Sequence, residues 1–180
     1  MAEDRVVVAG FGGQGIISLG KILAWIGMKS GRNVTHFPSY GAEMRGGTAN
    51  CTVVISDDEV ASPVFSSPTL AIVMNDPSLV KFGKMVEKGG ILVLDSSHVR
   101  GNSGRIDIRT VAVPATDEAN RLGNLRIANI VMLGVYMRLR SYLERELGEE
   151  AIKTFFAGKR EGVVEQNLQA FSAGYNAIKD

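Results

Sequence analysis

The residues with the clearest capacity for chemistry are Gly10-Phe-Gly-Gly-Gln-Gly15. Gly10, Gly12 and Gly15 satisfy G-x-G-x-x-G between a strand-like run at residues 5–9 and a helix-like run at residues 16–30. A glycine turn in that position kinks the backbone and gathers N–H groups at a helix N-terminus. The helix dipole there favours an anion, usually a phosphate. A dinucleotide site would also need an acid about 20 residues further on, at the end of the second strand. That strand reads as residues 33–37 and ends in His36, Phe37 and Pro38, and no Asp or Glu lies between Asp4 and Glu43. Arg32, which could meet a 2′-phosphate, precedes the strand rather than ending it. The sequence therefore disfavours NAD. Gly15-Ile-Ile-Ser-Leu-Gly20-Lys21 approaches a nucleotide-triphosphate loop, but Ile22 stands where a hydroxyl should reach magnesium. The plain alternative is that these glycines serve only close helix–strand packing.

A second polar segment, Ser39-Tyr-Gly-Ala-Glu-Met-Arg-Gly-Gly47, sets Glu43 and Arg45 among glycines. An arginine beside a glycine pair can grip a phosphate or carboxylate while bare N–H groups converge on the same anion. Equally, Glu43 and Arg45 can pair within the loop or across a subunit interface. Residue chemistry alone leaves both open.

Other candidates for chemistry are thin. Cys51 is the single cysteine, so the chain can neither close an internal disulfide nor supply the usual four ligands of an iron–sulfur cluster. It reads as a small strand residue in an alternating run, and His36 and His98 stand in no recognisable spacing to it. Asp95-Ser96-Ser97-His98 holds the residue types of a nucleophilic triad, but adjacent positions on a strand end need not converge. No catalytic residue and no metal ligand is assigned.

These motifs need a framework, and 180 residues with 45% hydrophobic and 22% charged content suit one soluble domain with a real core. A net charge of +1, with basic residues scattered and no aromatic interleaving, gives no reason to expect nucleic acid. No apolar run approaches a membrane span and no secretory leader is legible, so the expected location is cytoplasmic. Strands are expected at residues 6–9, 33–37, 49–55, 70–74, 91–94 and 105–112. Helices are expected at 16–30, 77–87, 115–122, 129–147 and 163–179, the fourth running from a buried, apolar end out to a charged one that is solvated or partner-facing. Strands alternating with helices indicate a single-domain α/β fold. The sheet should be mainly parallel with helices on both faces, and a Rossmann-like glycine turn should follow the first strand.

Taken together and in order, GFGGQG, SYGAEMRGG with its TANCTVVIS strand, Ser62-Pro63, Val113-Pro114-Ala115 and the Ala128–Gly134 segment resemble the gamma subunit of 2-oxoacid:ferredoxin oxidoreductases. The resemblance spans about residues 5–135. It implies a complex that decarboxylates a 2-oxoacid to an acyl-coenzyme A. Thiamine diphosphate and iron–sulfur clusters would sit on partner subunits, and electrons would pass to ferredoxin. This chain would be inactive alone, with larger subunits as partners. The cofactor-binding candidates, with coenzyme A as the possible ligand, are Gly12, Gly13, Gln14, Gly15, Arg45, Gly46 and Gly47. The interface candidates are Tyr40, Glu43, Arg45 and Asn129. Residues 38–47 and 130–136 are expected to offer surfaces through which the isolated chain forms a homodimer. Two rivals stand beside this reading: a free-standing nucleotide-dependent oxidoreductase using the GFGGQG loop, and a purely structural assembly module.

Overall fold

The protein is described here by a computed structural model covering residues 3–40 and 47–179, with Tyr40 described by its backbone alone. Strand β1, Glu3–Phe11, alternates two buried rows: Val6 and Val8 on one side, Val7 and Ala9 on the other. A strand apolar on both faces belongs in the middle of a covered sheet. Among the described residues the sheet has six strands in the order β2-β3-β1-β4-β5-β6. The others are β2 Asn33–Tyr40, β3 Thr48–Ser56, β4 Leu70–Val73, β5 Ile91–Asp95 and β6 Arg109–Val113. β1, β4, β5 and β6 pair in parallel, while β3 is antiparallel to both β1 and β2. Five strands thus share one direction, so the sheet is mainly parallel as expected, with a single reversed strand inserted beside β1.

Helix α1, Ile16–Lys29, buries Leu19, Ile22, Leu23 and Ile26 against the face that carries Val6, Val8, Val53, Ile55 and Ile72. That core also takes in α3 Ala115–Arg121, α4 Ala128–Leu139, α5 Arg145–Phe155 and α6 Val163–Asn176. The opposite face, Val7, Ala9, Ala71, Val73, Leu92 and Leu94, is covered by Leu79 and Phe82 of the short α2, Asp76–Phe82, and by Val86 and Val99. Both faces are covered, but very unequally.

Four expectations need correction. The helix read at 129–147 is two helices, because Arg140 leaves the helical path at φ −115°, ψ 80°. Its guanidinium turns instead to Asp4, with Nε donating to Oδ2 at 2.8 Å and Nη2 to Oδ1 at 2.7 Å. A buried carboxylate without a counter-ion costs far more than one interrupted helical turn. The second correction concerns residues 130–136, expected to supply an exposed self-association surface. Ile130 through Tyr136 are all buried inside this chain, packed beneath α6. α2 also ends at Phe82 rather than near residue 87, with Gly83 as its cap. The last strand begins at Arg109, because Arg105 folds onto Asp107 instead of entering the ladder.

Candidate functional site

The glycine turn sits at the carboxyl end of β1, where β1 and β4 send their following helices to opposite faces of the sheet. Ligands of open α/β sheets bind at such switch points. Gly13 and Gly15 adopt φ of 99° and 75°, the left-handed region that glycine enters without strain. Gly15 is the N-cap of α1 and offers no side chain to the helix, and the first turn holds no acid. The field of the α1 N-terminus is therefore unopposed, and its leading N–H groups have no side-chain acceptor. A cavity of about 430 Å³ opens there, lined by Phe11, Gly12, Gly13, Ile16, Ser18 and Ala49 among others. None of the residues lining it carries a charge.

The two sequence motifs meet. Gly12 N–H donates to the carbonyl of Gly47 at 2.9 Å, tying the turn to the base of the second loop. Arg45, Gly46 and Glu43 fall outside the described residues, as does the side chain of Tyr40.

Gln14 and Asn129 prove to be spent within the chain. The Gln14 Oε1 accepts from Phe11 N–H at 2.6 Å and its Nε2 donates to the Met74 carbonyl at 3.1 Å. Its carboxamide thus bridges the ends of β1 and β4 and fills the crevice between them. Asn129, buried at the start of α4, donates Nδ2–H to the Gly15 carbonyl at 3.1 Å and fixes the turn from behind. The sequence did not single out either bond; an amide inside each motif was the available signal.

The same geometry accounts for the absent ribose acid. In a dinucleotide fold the acid ends the strand beside β1. Here that neighbour is the reversed β3, which begins with Thr48 opposite Phe11, while β2 ends two strands away. The free-standing nucleotide-dependent oxidoreductase is not favoured.

The remaining candidates disperse. Asp95 is fully buried and accepts from Thr116 Oγ1–H at 2.5 Å and from Ser97 N–H at 3.1 Å, whereas the His98 side chain is exposed. No triad forms. Burial pushes the Cys51 thiol up to about 12, so it is not a nucleophile at neutral pH. Among the described residues no group of His, Cys, Asp and Glu is placed to hold a metal, and no helix is long and apolar enough to cross a membrane.

His36 faces α1 near Gly20 and Cys51, and its Nε2 is buried without a hydrogen-bond partner. Burial, and secondarily the charge of Lys21, hold its pKa below 6.5. The unfolded chain therefore binds this proton more readily than the folded one. Stability on this account is full above the unfolded pKa and is lost as pH falls through it. Thermal melts between about pH 8 and pH 5 are expected to show that fall, and His36→Gln to flatten it. An unchanged slope in the variant would assign the pH dependence elsewhere.

With this geometry in hand, the comparisons with known proteins are specific. The profile of the family described as pyruvate ferredoxin/flavodoxin oxidoreductase matches residues 5–177, and the chain belongs to that family. It is 44% identical over 173 residues to the ketoisovalerate oxidoreductase subunit VorA of Methanothermobacter thermautotrophicus, covering 96% of this chain and 36% of the relative. The chain thus spans about a third of the length of that relative. Among solved structures it is similar to the gamma subunit of a keto/oxoacid ferredoxin oxidoreductase from Geobacter sulfurreducens. That match has a TM-score of 0.84 and 28% identity, and covers 98% of this chain and 96% of the other. The 2-oxoglutarate:ferredoxin oxidoreductase of Magnetococcus marinus, solved with 2-oxoglutarate, coenzyme A and succinyl-CoA, shares the fold. Its TM-score is 0.88 at 24% identity, over 98% of this chain and 31% of that one.

Proposed function

We propose that this chain is a gamma-type subunit of a multi-subunit 2-oxoacid:ferredoxin oxidoreductase, an enzyme that oxidatively decarboxylates a 2-oxoacid to an acyl-coenzyme A. Its own contribution is binding and assembly. Larger companion subunits carry thiamine diphosphate and the iron–sulfur clusters, and ferredoxin meets the complex rather than this chain alone. One buried cysteine cannot hold a cluster, which agrees with that division. The reading includes a cytoplasmic location and a homodimer for the isolated chain, now resting on the second loop rather than on residues 130–136. Relatives named for ketoisovalerate and for 2-oxoglutarate leave the oxoacid open.

The observation that carries the proposal is the uncapped glycine turn joined to the second loop at Gly12 and Gly47. A turn that presents N–H groups and no acid suits a phosphate, and a member of the same fold class has been solved with coenzyme A. Coenzyme A would bring its phosphate to Gly13 and the first turn of α1, beside the Gly12–Gly47 bond, with Arg45 supplying a charge-assisted contact. The thiol of coenzyme A accepts the acyl group during turnover. This chain's residues hold the carrier and take no part in bond making.

Replacing Arg45 with Ala is expected to remove a charge-assisted contact worth about 1.5–3 kcal/mol, roughly ten- to a hundredfold in apparent affinity. Gly13→Val should obstruct the same approach, since Gly13 is open to solvent and its φ suits no β-branched residue. In the assembled complex both variants should raise KM for coenzyme A more than KM for the oxoacid. If Arg45→Ala instead weakens subunit assembly and leaves coenzyme A saturation unaltered, the loop shapes an interface and the coenzyme A assignment fails.

A further inference from the structure

His36 is a titratable side chain set beneath the helix that carries the glycine turn. Register places it opposite Val53, on the sheet face that α1 covers. The helix has a glycine at the point of contact. The His36 Nε2 lies 2.8 Å from where a Cβ on Gly20 would stand, and the Cys51 Sγ lies closer still. The two side-chain tips therefore fill the space that Gly20 leaves. The Cys51 thiol in turn donates to the Ile16 carbonyl at 3.6 Å. Ile16 is the first residue of α1 and part of the wall of the cavity at the glycine turn. His36, Cys51 and the start of α1 thus form one packed stack.

A proton has no place in that stack. The His36 Nε2 is buried with no partner, so protonation would put a donor and a charge where no acceptor stands. The ionisable groups around it do not help. α1 presents the Lys21 cation, and β3 presents the Cys51 thiol, already given to Ile16. β2 itself carries no other ionisable side chain from Asn33 to Ser39. The outer flank offers the way out. Among the described residues β2 is an edge strand beside β3 alone, and His36 is half-buried, so its ring can turn to water without breaking the ladder.

We propose that His36 is a pH-sensitive wedge. Neutral, it packs under Gly20 and seats the first turn of α1; protonated, it swings out to water, uncovers Cys51 and loosens that turn. Burial first, then the Lys21 charge, lower the proton affinity of the packed ring. The released ring keeps its ordinary affinity, so the released population grows as pH falls through about 6.5 and levels off once the packed form also titrates. The N–H groups of that turn are those assigned to a phosphate, so acid slackens the site before it unfolds the chain. That consequence rests on the reading of the turn as a phosphate site, and the movement of the wedge does not.

Cys51 is the single cysteine, so it reports the movement directly. The full chain is labelled with a pyridyl disulfide, which reacts with thiols even in acid, and each rate is divided by that of the urea-unfolded chain at the same pH. Between about pH 8 and pH 5 the ratio is expected to rise about tenfold in the wild type, without the urea dependence of global unfolding. In His36→Gln, which takes up no proton in this range, it should stay flat. Gly20→Ala, whose methyl takes the wedge's place, should label faster than the wild type at pH 8. A wild-type ratio that does not rise, that rises equally in His36→Gln, or that follows urea as global unfolding does overturns the wedge and leaves the functional reading intact. So does a folded Gly20→Ala chain labelled as slowly as the wild type.

Discussion

Asp4→Ala is expected to cost the fold about 3–5 kcal/mol, a large fraction of the stability of a domain whose total lies at roughly 5–15 kcal/mol. Asp4 is 1% exposed at the start of β1. Its two oxygens accept both ends of the Arg140 fork, the hydroxyls of Tyr136 and Tyr142 at 2.9 Å each, and the Thr69 hydroxyl. Removing the carboxylate leaves a largely buried guanidinium without its counter-ion. It also takes a shared acceptor from three hydroxyls, of which Thr69 keeps the Arg5 carbonyl and the two tyrosines keep each other. Tyr136 does not compensate by ionising: burial is the largest cause that raises its pKa, and it remains when the Asp4 charge is gone. The Arg32 guanidinium, 4.7 Å over the Tyr142 ring, extends the same network to the start of β2. Urea melts with a constant m-value give the cost directly. The double variant Asp4→Leu with Arg140→Met should recover a large part of the loss, since replacing a buried pair by apolar side chains is often neutral. A single-variant loss below about 1 kcal/mol would show that water reaches the pair and that its burial is overstated.

How much of this was legible beforehand follows from which interactions are local. The glycine turn could be read because its requirements, positive φ and bare N–H groups, belong to consecutive residues. The buried strands could be read because Val6–Val8, Leu70–Val73 and Ile91–Leu94 are apolar without alternation. Arg140 could not. Its helix-breaking partner lies 136 residues away, and nothing in the local charge pattern distinguishes it from Arg138. The 130–136 run failed for a related reason: periodicity cannot tell a helix buried within its own chain from one buried by a partner. β3 as a reversed strand was also hidden, since a strand reads the same in either direction. Its insertion beside β1 puts the start of a strand where a dinucleotide fold has the strand end that carries the ribose acid. In the candidate site the backbone elements were visible and the internal bonds of Gln14 and Asn129 were not, because both depend on strand order.

The crossing of α4 and α6 should be the least forgiving packing contact in the chain. A Cβ added at Gly174 would lie 1.8 Å from the Val131 carbonyl oxygen, and one at Gly134 would lie 2.1 Å from that of Phe171. Each glycine lets the backbone of the other helix rest against it, so neither obstruction can be relieved by rotating a side chain. Overpacking usually costs about 1–3 kcal/mol, and Gly174→Ala is expected at or above the top of that range because two helices must separate. Neither glycine has a positive φ, so the cost is contact alone, and alanine's better helix propensity offsets only about 1 kcal/mol of it. Gly31→Ala provides the contrast: its φ is 79° with open space around it, so it should lose about 1–2 kcal/mol through conformation alone. The effect should also reach the glycine turn. α4 begins at the Asn129 amide that holds the Gly15 carbonyl, and α6 presses that helix into place. Hydrogen exchange at Gly12–Ser18 should therefore rise in Gly174→Ala and stay unchanged in Gly31→Ala. A Gly174→Ala protein as stable as Gly31→Ala, with the turn equally protected, would mean that the two helices sit further apart than this packing requires.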